Sequence, residues 1–216
     1  MLLEMLINVI APHNCIGCGA EGCLLCDSCR MSIVVSNDCA RCGSPRALRC
    51  SGAGTDSVNH LFIATVYKDL AKELVRRLKF ERTPTAAEHI ALMLEQIVAV
   101  GTHDILVPIR TSPLRYRQRG YDQTVLIAKS VCRTANEQLC DVLLRTGTVR
   151  QLGAKRSQRL TQQQGLYWVR RPEAVRGRKV LLLDDVRTTG ATLESAAHTL
   201  LSAGAKYVNG LVFAQA

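Results

Sequence analysis

The sequence predicts an α/β domain built on a mostly parallel sheet with helices on both faces, preceded by a small metal-binding module. Three observations carry that expectation. Apolar runs alternate with helical patterns from about residue 61 onward, the order that builds strand–helix–strand units and a parallel sheet. Val180 to Leu183 is apolar without interruption, as a strand covered on both faces requires. Eight of the ten cysteines fall between Cys15 and Cys50, mostly in pairs two residues apart, a spacing that suits a metal ion better than disulfides in an intracellular protein.

A chain of 216 residues has room for one α/β domain and an appendage. We expect residues 1–57 to form the cysteine module and 58–216 the α/β domain, with the glycine- and serine-rich stretch Ser51 to Ser57 between them. Met1 to Ile10 is apolar but short, includes Glu4 and lacks a basic n-region, so it does not read as a secretion signal. No run approaches the roughly 18 apolar residues that span a bilayer, and the chain is expected to be soluble and cytoplasmic. Its 28 Lys and Arg outnumber its 18 Asp and Glu, and between Arg110 and Arg187 the ratio is 17 to six. A field of that sign favours polyphosphates or nucleic acid, although a solvated basic surface carries the same excess.

In the module, Cys15, Cys18, Cys26 and Cys29 supply four thiolates as two short knuckles, the pattern by which a tetrahedral zinc ion staples a segment too small for its own core. Cys23 lies between the pairs as a spare. The spacing begins again at Cys39, Cys42 and Cys50, but Ala53 stands where a fourth cysteine would fall. One zinc per chain is the simpler expectation. A second would need Cys23 or His60 as a substitute ligand, and a pairing of Cys15 and Cys18 with Cys39 and Cys42 stays open.

The α/β region opens with a strand over Leu61 to Tyr67 and a helix over Leu70 to Phe80, whose Leu70, Leu74 and Leu78 share a face. Thr85 to Val100 reads as the next helix, started by a Thr85/Glu88 capping box and stopped by Gly101. A buried strand, Asp104 to Ile109, leads into a segment ending at Gln123 in which Arg110, Arg115, Arg117 and Arg119 interleave with Tyr116 and Tyr121. Guanidinium groups fork onto phosphate oxygens and aromatic rings stack bases, so this segment suits a pyrophosphate or a nucleic-acid strand, with a basic surface loop as the plainer reading. Gln123 to Ala135 follows as a helix and Leu139 to Leu144 as a strand. Thr146 to Gly165, polar and basic, reads as a loop or lid over the site. Tyr167 to Val169 follows it. Thr192 to Ala203 reads as a helix stopped by Gly204, and Tyr207 to Phe213 as the final strand. His89, His198, Cys132 and Cys140 are assigned structural roles.

The most informative stretch is Val180 to Thr192. An apolar strand runs into Asp184 and Asp185, whose side chains point to opposite sides of an extended chain, and then into a loop of small residues, Thr188 to Thr192, that opens a helix. Ligands of open α/β sheets bind at the carboxyl ends of strands, and a helix N-terminus attracts a phosphate dianion. The segment resembles the phosphoribosyl-pyrophosphate (PRPP) motif of type I phosphoribosyltransferases. The resemblance implies that Asp184 and Asp185 hold the ribose hydroxyls and are the catalytic carboxylates. Thr188, Thr189, Gly190, Ala191 and Thr192 would hold the 5′-phosphate.

With the cysteine knuckles, Leu78 to Phe80, Val107 to Ile109 and Arg119 to Gln123, the chain resembles the ComF family over nearly its whole length. That resemblance implies a type I phosphoribosyltransferase-like fold, a structural Zn2+, a PRPP-type ligand with Mg2+, and a role with single-stranded DNA and the DNA-uptake machinery of natural transformation. Arg110 and Arg115 would face the pyrophosphate, and Arg115, Arg117, Arg119 and Tyr121 the nucleic acid. Two other functions fit the same residues: a nucleobase phosphoribosyltransferase of nucleotide salvage, and a zinc-dependent nucleic-acid-binding protein with a vestigial sugar-phosphate site. The family carries Arg-Gly-Phe-Asn-Gln where this chain has Arg119-Gly120-Tyr121-Asp122-Gln123, a carboxylate in place of an amide that would weaken a local anion site. Catalysis, the acceptor base and the oligomeric state are left open by the sequence.

Overall fold

The computed structural model describes residues 14–36, 38–40, 57–97, 102–135, 137–146 and 166–216. Four parallel strands form its sheet in the order β1, β6, β5, β2, where β1 is Leu61–Val66, β2 Ile105–Pro108, β5 Lys179–Arg187 and β6 Tyr207–Gln215. Leu139 bridges Leu106 in parallel and carries the sheet one step beyond β2. The expected strand Leu139 to Leu144 is therefore split. Its first part pairs with β2, and its end becomes β3, Leu143–Arg145, in an antiparallel hairpin with β4, Tyr167–Val169.

Helices cover both faces, because successive side chains of each strand point to opposite sides. Leu181 and Leu183 of β5 pack with α2 (Asp69–Phe80), α3 (Ala86–Glu95) and α5 (Gln123–Ala135), through Leu74, Leu78, Ile90, Met93, Ile127 and Val131. Val180 and Leu182 face the other way, toward Leu193, Ala197 and Leu200 of α6 (Ala191–Ser202) and Tyr167. α6 is the crossover between the neighbouring strands β5 and β6. The alternation read along β5 is thus the division between two cores.

The cysteine module, with its short helix α1 (Asp27–Met31), is packed into the first of these cores: Cys15, Leu24, Leu25 and Cys39 lie in one cluster with Phe62, Leu74 and Leu78. Ser36 and residues 38–40 lie along the outer edge of β1, where the Ser36 N–H donates to the Ala64 carbonyl at 2.8 Å and the Ala40 N–H to the Leu61 carbonyl at 2.7 Å.

Three local expectations are corrected. The described α3 ends at Glu95 rather than Val100, and residues 98–101 lie outside the described residues. Thr85 occupies its N-cap but makes no side-chain cap bond; its backbone is already helical, which turns the hydroxyl from the orphan amides, and Glu88 pairs with Arg133 at 3.5 Å. The arginine segment holds a seven-residue helix, α4 (Pro113–Arg119), started by Ser112, whose hydroxyl accepts from the Arg115 N–H, and by Pro113 in the first turn.

Candidate functional site

β5 continues through Arg187, so the two carboxylates lie within its carboxyl-terminal part rather than just past it. They face opposite sides of the sheet, as expected. Asp185, on the side of α2, is 4% exposed and holds Lys79 of α2 at 3.0 Å. Its other oxygen accepts the Val186 N–H at 2.7 Å. Asp184 sits on the side of Tyr167, and its carboxyl is raised well above the usual range, chiefly by burial and then by the Asp185 charge beside it. One carboxylate is therefore matched by a cation, while its neighbour has no ion pair among the described residues and is poised to gain from a hydroxyl donor or a cation.

The loop after β5 keeps its polar groups outward. Thr188, Thr189, Ala191 and Thr192 are exposed, and Gly190 is buried with a φ of 85° at the N-cap of α6. A Cβ at Gly190 would come within 2.8 Å of Arg187 Nε, so the Arg187 guanidinium lies directly against this turn. Arg187 is anchored by Gln215, whose side-chain oxygen accepts from its Nη1 at 2.7 Å. Gly190→Ala is expected to cost about 1 to 2 kcal/mol of stability, from the left-handed backbone and the displaced guanidinium. Chemical denaturation of the two proteins measures it.

Arg110, beyond β2, is forked onto Asp141 through Nε and Nη2, which satisfies most of its charge within the protein. Asp122 is buried at the start of α5, where its carboxylate accepts the backbone N–H groups of Thr111 at 2.8 Å, Thr124 at 3.1 Å and Val125 at 3.3 Å. The carboxylate thus ties the strand-end loop to the next helix instead of facing a ligand. Burial raises its pKa, and those three amides oppose the rise.

Beside Asp185 opens a cleft of about 450 Å3 lined by Tyr67, Lys79, Phe80, Arg82, Arg115, Gln118 and Arg119. The last turn of α2 and the solvent face of α4 form its walls. Arg115 and Arg117 are exposed, while Arg119 donates to Gln123 at 2.7 Å and lies over the Phe80 ring at 5.5 Å. Tyr121 is half-buried, and its hydroxyl donates to the Leu78 carbonyl at 2.6 Å.

The other constellation is the cysteine cluster. The sulfurs of Cys15, Cys18, Cys26 and Cys29 all lie within 4.8 Å of one another, and Cys18 and Cys26 are 3.7 Å apart. Four sulfurs at about 2.3 Å from a tetrahedral zinc ion would be about 3.8 Å apart, so the donor set could hold one. Backbone amides support it: Cys26 N–H points at the Cys15 sulfur and Cys29 N–H at the Cys26 sulfur. The Cys26 amide lowers the Cys15 thiol, whereas the neighbouring sulfurs raise that of Cys29, a competition that a dication would relieve. Gly17 is required by contact, since a Cβ there would meet Cys29 Sγ at 2.6 Å. Cys23 stands outside the cluster. Cys39 instead accepts the Leu61 N–H at 3.4 Å, and Cys42 and Cys50 lie outside the described residues.

Comparison with known proteins ties the two constellations together. Residues 123–215 match the phosphoribosyl transferase domain family. The chain is 28% identical over 198 residues to the competence protein ComFC of Bacillus subtilis (strain 168), covering 83% of this chain and 79% of that one. The chain is thus similar to ComF-family proteins over most of its length. ComFC of Streptococcus pneumoniae (strain ATCC BAA-255 / R6) is similar, 29% identical over 191 residues, 88% of this chain and 79% of that one. Among solved structures, the glutamine PRPP amidotransferase from B. subtilis complexed with ADP and GMP aligns at 20% identity with a TM-score of 0.49, over 64% of this chain and 30% of that one. The chain thus joins a parallel sheet, matched from residue 123 by the phosphoribosyl transferase domain family, to a four-cysteine cluster.

Two residues of the candidate site have no role assigned to them by the sequence. Lys79 reads in the sequence as one more cation on an amphipathic helix; only the crossing of α2 over the end of β5 brings it to Asp185. Arg187 falls beyond the strand read over Val180 to Leu183, and its role emerges from the turn that folds Gly190 back onto it. Among the described residues no helix is long and apolar enough to cross a membrane.

Proposed function

We propose that this is a ComF-like protein that binds PRPP with Mg2+ and acts with single-stranded DNA in DNA uptake, in the cytoplasm, with a structural Zn2+ on Cys15, Cys18, Cys26 and Cys29. The observation that carries the reading is the Asp184 and Asp185 pair at the carboxyl end of β5, followed by the exposed Thr188 to Thr192 loop at the start of α6. In this reading the residues divide as two units, 1–57 around the zinc and 58–216 around the sugar phosphate.

Asp184 and Asp185 accept hydrogen bonds from the ribose 2′- and 3′-hydroxyls and fix the ring. The hydroxyls of Thr188, Thr189 and Thr192, with the amides of Gly190 and Ala191, take the 5′-phosphate where the dipole of a twelve-residue helix favours negative charge. Arg115 faces the pyrophosphate, and Arg110, held by Asp141, shapes the backbone around it. Bound Mg2+ offsets the charge of the pyrophosphate and the ribose oxygens. If a base displaces pyrophosphate, the two carboxylates stabilise positive charge developing on the ring, and the protein contributes mainly position and electrostatics. None of the described residues stands out as a general base.

Calorimetric titration with PRPP and Mg2+ tests the proposal, which requires saturable binding at one site per chain; absence of binding would refute it. Turnover of PRPP with a nucleobase would move the reading to nucleotide salvage. The raised pKa of Asp184 adds a pH dependence. Protonated Asp184 cannot meet a cation or accept two hydroxyl donors, so affinity climbs as pH rises through its raised value and levels off above it. The same burial opposes folding of the ionised form, so the free protein loses stability over that rise while the ligand complex gains it. Asp184→Asn should flatten the affinity profile, and titrations at a series of pH values compare the two.

A further inference from the structure

The cleft beside Asp185 has features that a sugar-phosphate site does not need. Phe80, the last residue of α2, leaves 71% of its surface exposed, although the helix places Leu74, Val75 and Leu78 in the core. The group set against that ring is the Arg119 guanidinium, at 5.5 Å. Across the cleft, α4 buries none of its residues and presents Leu114 and Tyr116, which are 63% and 47% exposed, beside Arg115 and Arg117. An apolar ring kept in water between cations favours a ligand with a flat face and a negative charge.

The charges support the same ligand. Glu73 and Glu81 of the α2 region are engaged by Arg76 and Arg77, outside the cleft lining. The cleft cations are left without such matching. Among the described residues none of Arg82, Arg115 and Arg119 sits in an ion pair, and Lys79 alone is paired, with Asp185. Arg82 reaches across to the Gln118 carbonyl at 3.4 Å from a backbone with a φ of 53°, so it is held toward α4 rather than trailing into solvent. Arg119 is desolvated and crowded by the Arg115 charge, both of which lower its pKa and would be relieved by an anion.

We propose that Phe80 is a stacking platform for one unpaired base of a single-stranded nucleic acid, whose flanking phosphates are held by Arg82 on one side and Arg115 on the other. Tyr121 does not serve as the platform, because its hydroxyl is committed to Leu78 and its ring lies against the core. A duplex keeps its bases stacked on one another and offers the ring no face, so the site selects single strands. This assignment rests on the single-strand part of the proposed function; Phe80 and Arg82 have no part in the PRPP reading, and Arg115 is shared with it.

Fluorescence anisotropy with a labelled oligothymidylate of twelve nucleotides, and with a hairpin duplex of equal charge, tests it. Wild-type protein should bind the single strand more tightly than the duplex. Phe80→Ala should weaken single-strand binding about tenfold, the loss expected for one stacked base, while Phe80→Tyr retains it. Arg82→Ala should lower the slope of log affinity against log salt by about 0.7, one released counterion. Calorimetry with PRPP and Mg2+ should give the same affinity for Phe80→Ala as for wild type. Unchanged oligonucleotide affinity in Phe80→Ala, an equal loss in Phe80→Tyr, or no single-strand binding by wild type would each overturn the proposal. Loss of PRPP binding alone would remove the sugar-phosphate reading and leave this one standing.

Discussion

Asp185→Asn should weaken binding of PRPP with Mg2+ by about 100-fold, or roughly 2.7 kcal/mol. The amide keeps the shape of the carboxylate but loses its charge and half of its acceptor capacity, and a hydrogen bond to a charged group is worth about 1.5 to 3 kcal/mol. The substitution also leaves Lys79 without the partner now 3.0 Å away, so the cation that balanced the pocket becomes an uncompensated charge beside the ribose and its dication. Stability should change much less. Breaking a fully buried pair costs about 3 to 5 kcal/mol, but the Lys79 side chain is 18% exposed and lines an open cleft, where it can turn into water. We expect an unfolding midpoint within a few degrees of wild type. An unchanged calorimetric affinity would take Asp185 out of the site.

Removing the metal ligands should have the larger effect on the fold. Purified, reduced protein is expected to carry about one zinc per chain. Cys26→Ser isolates the ligand's contribution, because Cys26 is the N-cap of α1 and accepts the Cys29 N–H, a role serine fills well. The cap therefore survives while a sulfur is lost from the cluster. Structural zinc contributes about 10 to 16 kcal/mol of binding free energy in small fingers, most of it coupled to folding. Even a fraction of that, about 3 kcal/mol, lowers the melting temperature of a chain of this size by roughly 10 °C. The expected result is zinc content near zero and a midpoint lower by at least that amount. Full zinc content in the variant would reassign the ligand set.

What the sequence made legible follows from where the decisive interactions are local. Val180 to Leu183, the acidic pair and the small-residue loop form one continuous stretch, so strand, carboxylates and helix start could be read together. α5 is legible over Gln123 to Ala135 because its apolar period is regular. Asp122 reads in the sequence as a weakened anion contact, since only the fold shows the Thr111, Thr124 and Val125 amides converging on it. α4 is less legible: Ser112, Pro113 and Gly120 mark its two ends, but seven residues dense in arginine, none of them buried, carry no apolar period. The partnership of Lys79 with Asp185, more than a hundred positions apart, and the open ring of Phe80 carry no local trace at all. They arise from one helix crossing the end of one strand, which periodicity cannot foretell.

The pairing of Ser36 and Ala40 with β1 has a consequence for handling this protein in cells. β1 is the terminal strand of the parallel sheet, and its outer backbone groups are met by Ser36 and Ala40. A bare strand of that kind is a template on which other molecules can polymerise. Starving the chain of zinc should therefore turn a folding defect into a self-association defect, with material accumulating as insoluble deposits rather than as a dispersed monomer.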